Sequence, residues 1–220
     1  MQAKDGDIVA VSSDGASAAF SAQAYAKSLL PSGYRLDTAA PGRECAIEVD
    51  LKPLSLLGDA LSFELVYRRL PGECATPLRD GGYVAARSVR LGSGGPARVE
   101  DYVRPASLLQ ALRATHEVAD MLGNEAPASL SALFQRLDEI TAKHCEQRLT
   151  PASLSQFYVG AVREDGVDLR IAWGDECGGL GDEPELGSVS VPLRKSDLND
   201  GVTARTLQVP GVHLRFVSTD

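Results

Sequence analysis

The residues best suited to chemistry are five carboxylates in the glycine-rich stretch GDECGGLGDEPELG at 174–187. They are Asp175, Glu176, Asp182, Glu183 and Glu185. Three interpretations are open: a solvated loop, a calcium site, since clustered carboxylates suit a hard cation, and an acidic recognition loop. For recognition, Trp173 would supply the aromatic anchor that interface hot spots favour. The spacing does not fit the Asp-x-Asp-x-Asp-Gly calcium loop, so we predict no metal.

Other patterns that would indicate catalysis are missing from the sequence. The nearest string to a Gly-x-Ser-x-Gly nucleophile motif is LGSGG at 91–95, and its spacing is wrong. No phosphate-binding loop or dinucleotide fingerprint occurs, and no second histidine follows His116-Glu117 as a zinc peptidase helix requires. We therefore predict no catalytic residue and no cofactor. A glycosidase-type carboxylate pair stays open, because the separation of two carboxylates in space cannot be read from sequence.

The four cysteines predict two disulfides. They are Cys45, Cys74, Cys145 and Cys177. None forms a Cys-x-x-Cys, and the histidines give no zinc spacing with them. Three pairings are open; the sequential one closes two loops of about 30 residues, each stabilising by roughly 3–4 kcal/mol in the chain-entropy model. Such bridges require an oxidising compartment, so we predict a periplasmic or otherwise extracytoplasmic protein, its export signal removed. The alternative is four free thiols in a cytosolic protein.

Net charge narrows the class of partner. The formal charge is -8 and the pI is about 5.0. This charge argues against nucleic acid and anionic membranes as partners, because both need a basic patch. No apolar run of about 18 residues exists, so we predict that the chain is not an integral membrane protein. The N-terminus, MQAKDGDIVA, lacks the apolar core of a signal peptide.

Hydrophobic periodicity predicts strands at both ends of the chain and helices in the middle. Alternation predicts strands over 44–52, 60–69, 82–91, 187–193 and 212–217, with a weaker one near 203–209. Alanine-rich composition that stops before Pro31 and Gly33 predicts a helix over 17–30. Helical spacing predicts one helix from Pro105 through His116 and another after Pro127 that Ser129 caps.

A hairpin is predicted over 157–163 and 167–173, because Asp165-Gly166 between two apolar runs is a strong turn signal. Pro192 predicts either that its strand lies at a sheet edge or that the strand ends there. The fold class is α+β: an antiparallel sheet with helices packed on one face, in a single domain over 1–220.

Three segments over about 98–198 resemble one known domain. Leu130-Ser131-Ala132-Leu133-Phe134 matches a Leu-x-x-Leu-Phe helix start. Phe157-Tyr158-Val159 followed by Asp165-Gly166-Val167 matches a hairpin, and Gly187 to Leu193 with Leu198 matches a final Val-x-Ile-Pro strand. This order is similar to the C-terminal domain of RsiV-type anti-sigma factors, also found in some peptidoglycan deacetylases.

The resemblance implies a periplasmic or cell-surface α+β domain that, in its best-known members, binds lysozyme without catalysis. Here the acidic glycine loop replaces the family's tyrosine- and proline-containing tip, so its lysozyme-binding residues do not carry over. The loop's position favours recognition by Trp173 and the five carboxylates. We expect an exported non-enzymatic binding protein, an inhibitor or immunity protein against a lysozyme-like cell-wall hydrolase or another cationic protein. The alternative is the extracytoplasmic ligand-sensing domain of a membrane-anchored regulator.

Overall fold

The computed structural model describes residues 2–4, 7–11, 17–30, 32–37, 46–69, 83–141, 149–172 and 188–218. The strands are β1 Gln2–Lys4, β2 Asp7–Val11, β3 Ser17–Ser21, β4 Tyr34–Leu36, β5 Ala46–Leu57, β6 Ala60–Arg69, β7 Tyr83–Arg90, β8 Phe157–Val162, β9 Gly166–Ala172, β10 Ser188–Arg194, β11 Ala204–Thr206 and β12 Val212–Ser218. The helices are α1 Ala22–Ser28, α2 Pro105–Arg113, α3 His116–Leu122 and α4 Leu130–Thr141.

The chain divides into two compact units. The first holds Met1–Leu54, Leu61–Gly95 and Leu207–Asp220, and the second holds Ser55–Ala60 and Pro96–Thr206. The single domain over 1–220 and the RsiV-like region over about 98–198 stay predictions. Among the described residues, no helix has the length and apolar character needed to cross a bilayer.

The first unit is built from antiparallel strands. One sheet has the order β1-β2-β3, and the other has the order β4-β12-β5-β6-β7. The predicted strands over 44–52, 60–69, 82–91 and 212–217 are confirmed as β5, β6, β7 and β12. In β6 the alternation holds, since Leu61, Phe63 and Leu65 are buried; Ser62 is also buried, and its hydroxyl lies 2.8 Å from that of Ser88.

The predicted helix over 17–30 was wrong at its start. Residues 17–21 form β3, because β2 supplies an antiparallel partner backbone along their whole length. The helix begins only after Ser21, whose hydroxyl accepts a hydrogen bond from the Ala24 amide at 3.2 Å. Partner pairing decided the structure of this alanine-rich segment over its local propensity.

The second unit contains the other helices. The prediction of a single helix from Pro105 through His116 was wrong, because the extended backbone of Thr115 separates α2 from α3. The Thr115 hydroxyl donates to the Leu112 carbonyl at 2.8 Å, an alternative to continued helical bonding. The helix after Pro127 is confirmed as α4, and the Ser129 hydroxyl accepts from the Ala132 amide at 3.1 Å.

The second unit also contains a three-stranded antiparallel sheet in the order β10-β9-β8. The hairpin of β8 and β9 is confirmed. Of the two outcomes that Pro192 predicted, the structure shows the first, since β10 lies at the edge of this sheet and continues past Pro192 to Arg194. One set of alternating side chains joins the apolar residues of α2, α3 and α4 in a single buried cluster. From the sheet this inner face contributes Phe157, Val159, Val167, Leu169, Ile171, Val189, Val191 and Leu193. The α+β class with antiparallel sheets is therefore confirmed.

Candidate binding surface

The six residues predicted to bind a partner lie outside the described residues. They are Trp173, Asp175, Glu176, Asp182, Glu183 and Glu185. The structure describes both residues that flank them: Ala172 ends β9, Ser188 begins β10, and the two are direct partners in the antiparallel register. Partners in such a ladder have Cα atoms about 4.5–5.5 Å apart. The segment 173–187, which we call the acidic loop, therefore leaves and rejoins the same end of one strand pair.

Cys45, Cys74, Cys145 and Cys177 also lie outside the described residues. The two disulfides and their pairing stay predictions.

The strands that hold the acidic loop present a polar outer face. Tyr158 and Ser190 are the partners of Arg170 on either side, so these three residues form one row across the sheet. Asp168 and its partner Pro192 form the next row. We call Tyr158, Asp168, Arg170, Ser190 and Pro192 the outer face. The outer face is mainly polar whereas the inner face is apolar, since successive side chains of a strand alternate between its two sides.

Asp168 is the most buried group of the outer face. It is 7% exposed, and its Oδ1 accepts a hydrogen bond from the Ser190 hydroxyl at 2.6 Å. Its Oδ2 lies 3.7 Å from the Arg170 Nη2, too far for a strong hydrogen bond. Because a buried carboxylate needs partners, the Ser190 bond fixes β10 against β9 close to the acidic loop.

A bulge in β8 gives Arg170 its position. The register of β8 on β9 shifts between Val159 and Ala161, which leaves Gly160 as the extra residue. A Cβ on Gly160 would lie 3.2 Å from the Arg170 Cγ, so the glycine lets the aliphatic part of Arg170 cross the bulge. Glycine inside a strand pattern was the available sequence signal for this bulge.

The turn of the hairpin lies one residue earlier than the sequence predicted. The Arg163 amide donates to the Gly166 carbonyl at 2.8 Å, so Glu164-Asp165 is the two-residue turn. Gly166 instead begins β9, and a Cβ there would collide with the Leu193 carbonyl oxygen. Glycine is required at 166 by the close approach of β10 and not by the turn.

The described histidines do not form a nucleophilic site. The His213 Nδ1 lies 2.7 Å from the Asp50 Oδ1, but Asp50 also accepts from the Arg68 Nη1 at 2.8 Å. His116 pairs with Asp120 on the exposed side of α3. Among the described residues, no three or more His, Cys, Asp or Glu side chains are grouped to hold a metal ion. The absence of catalytic residues, metal and cofactor stays a prediction.

Comparisons of the chain with protein-family models, with curated protein sequences and with solved structures give no match. The RsiV-type resemblance accordingly rests on the residues quoted above.

Proposed function

We propose that the chain is an exported, non-enzymatic binding protein whose acidic loop recognises a cationic protein, such as a lysozyme-like cell-wall hydrolase, as an inhibitor or immunity protein. The observation that carries the proposal is the pairing of Ala172 with Ser188 at the base of the loop. Recognition residues commonly lie on loops that a rigid scaffold positions. Here that scaffold is a sheet whose inner face is packed against three helices.

The charge of the loop supports a cationic partner. Five carboxylates lie between positions 175 and 185 in a chain of net charge -8. Such a concentration of one sign accelerates association with an oppositely charged surface. Its contribution falls as salt screens the field over about 10 Å at 0.1 M.

The hydrogen bonding of the outer face gives the Ser190 hydroxyl a structural role. The Ser190 hydroxyl donates directly to Asp168, so no imidazole stands between them to act as the base that a serine nucleophile requires. The described histidines, His116 and His213, each pair with a different carboxylate.

The test of inhibition is to mix the protein with a panel of lysozymes and other peptidoglycan hydrolases. Gel filtration would report a complex, and residual hydrolase activity would report inhibition. We expect a stable complex with lost activity for at least one cationic hydrolase. Failure to bind any member would contradict this function and favour the sensor-domain alternative.

The test of the loop uses two variants with equal changes of net charge. One reverses Asp182, Glu183 and Glu185 to Lys, and its control reverses the exposed Glu117, Asp120 and Asp200 to Lys. We expect the loop variant to associate about tenfold more slowly at low salt, with a smaller difference at high salt. The control should change the rate by less than about twofold, because its charges lie outside the proposed contact. Equal slowing by both variants would assign the effect to net charge alone.

Export is tested through the cysteines. A protein produced in an oxidising compartment and denatured without reductant should have no thiol that reacts with a colorimetric reagent. Four reactive thiols would remove the argument for an extracytoplasmic location.

A further inference from the structure

A second charged site lies at the opposite end of the sheet from the acidic loop. Strand β9 begins at Gly166 and ends at Ala172, a span of about 20 Å at 3.3 Å per residue. At the Gly166 end, a surface cavity of about 320 Å³ is lined by Arg163, Asp165, Gly166, Val167, Pro192, Leu193 and Arg194. We call this cavity the turn groove.

The two arginines of the turn groove stand on either side of a position without a side chain. The Arg163 amide donates to the Gly166 carbonyl at 2.8 Å, and Gly166 is the register partner of Arg194. The three residues therefore form one row across the strands, with glycine at its centre. Neighbouring strands are about 4.8 Å apart, which separates the two arginine backbones by about 10 Å. The arginine side chains are long enough for both guanidinium groups to contact one small anion that lies between them.

Among the described residues, neither of these guanidinium groups forms an ion pair with a carboxylate, although the Arg194 side chain contacts the Asp197 backbone. In the described part of the second unit, Arg98, Arg104, Arg136 and Arg170 each form an ion pair with a carboxylate, whereas Arg113 and Arg205 form none. Within the same described residues, the side chains of Arg163 and Arg194 form none, although Asp165 lines the same groove. Arginine presents a planar fork of donors that matches a carboxylate. The guanidinium groups of Arg163 and Arg194 are therefore available to pair with the carboxylate of a ligand.

The groove has a fixed backbone. The Lys195 amide donates to the Asp165 carbonyl at 2.8 Å, which ties the end of β10 to the turn. Gly166 is packed so closely against Leu193 that a Cβ would collide with the Leu193 carbonyl oxygen. A site formed before the ligand arrives loses less entropy on binding.

The residues that line the turn groove indicate which class of ligand it would bind. Two arginines and one aspartate give the lining a net charge of one positive unit, which attracts an anion. The exposed Pro192 gives the groove an apolar surface beside the charges, whereas the side chains of Val167 and Leu193 belong to the buried inner face. We propose that the turn groove binds the carboxylate of a small acid with a short apolar body, the carboxylate lying between Arg163 and Arg194.

The test is an NMR titration of the full chain at low salt with N-acetylalanine and with its uncharged amide. We expect saturable shifts of the Gly166 and Leu193 amides with the acid and none with the amide. Arg163→Gln and Arg194→Gln should each weaken binding by about fivefold or more, because each removes one charge-assisted fork. Arg194→Lys should retain part of the affinity, since it keeps the charge and loses the fork.

Arg205→Gln is the matched control, because Arg205 is exposed on β11 and is not part of the groove lining. It should leave the affinity unchanged within about twofold. Equal binding of the amide, equal weakening by Arg205→Gln, tighter binding of inorganic phosphate, or no saturable shift with the acid would each overturn the proposal. A hydrolase complex does not enter this titration, so its outcome is independent of the function proposed for the acidic loop.

Discussion

The two faces of the β8-β9-β10 sheet use the same strands for opposite purposes. Inner-face residues such as Phe157 and Leu169 are fully buried in one apolar cluster with three helices. The outer face instead holds a hydrogen-bonded Asp168 and exposed residues, including Pro192. Burial of apolar area is the main favourable contribution to folding, so stability should depend on the inner face. The outer face and the two ends of its strands are then free to carry binding residues.

The largest expected effect is a difference in the free energy of unfolding between substitutions at two neighbouring residues of β8. Phe157 is fully buried and its ring lies 6.3 Å from that of Tyr102, whereas Tyr158 is half-buried on the outer face. Phe157→Ala should lower the free energy of unfolding by about 3–5 kcal/mol. Tyr158→Ala should lower it by about 1 kcal/mol or less, the size of a cross-strand contact. Urea unfolding of both variants measures the difference, and equal losses would contradict the division between faces.

The next effect compares two glycines of the same hairpin. A Cβ at Gly166 would meet the Leu193 carbonyl, which is backbone, whereas at Gly160 its nearest neighbour would be the flexible Arg170 side chain. Gly166→Ala should therefore destabilise by about 2–3 kcal/mol through a shift of β10. Gly160→Ala should cost less than about 1 kcal/mol, because Arg170 can move. Thermal unfolding of the two variants gives the comparison; similar values would mean that β10 accommodates the methyl group.

The inner face could be predicted from the sequence, whereas the details of the outer face could not. Apolar alternation located β6 and β10, since burying one face imposes a period of two, and the Asp165-Gly166 signal between two apolar runs located β8 and β9. The same rule cannot assign Gly166, because a glycine after Asp165 fits both a turn and a close approach of strands. It also cannot show that the Ser190 hydroxyl donates a hydrogen bond to Asp168, because that bond depends on the β9–β10 register. The strand at 17–21 was missed for the same reason, since its partner backbone lies elsewhere in the chain.

A smaller effect concerns the hydrogen bond at the centre of the outer face. Asp168→Ala removes the acceptor of the Ser190 hydroxyl and should cost about 1–2 kcal/mol. Asp168→Asn keeps an oxygen acceptor and should recover at least half of that loss. Arg170→Gln should change stability by less than about 0.5 kcal/mol, because Arg170 is 39% exposed and its ion pair is long. Denaturant unfolding of the three variants measures these losses of free energy. A larger loss for Arg170→Gln than for Asp168→Ala would mean that Arg170, and not Ser190, is the partner of Asp168 that matters for stability.

The smallest expected effect on stability belongs to the acidic loop. Because Ala172 and Ser188 are already paired in the sheet, we expect the fold not to depend on the carboxylates of the loop. Asp182→Asn, Glu183→Gln and Glu185→Gln combined should change the free energy of unfolding by less than about 0.5 kcal/mol while slowing association with a cationic hydrolase. A loss above about 2 kcal/mol would instead make these carboxylates part of the fold. If added calcium stabilised the parent chain and not the variant, that loss would identify the cation site that the spacing of the carboxylates argued against.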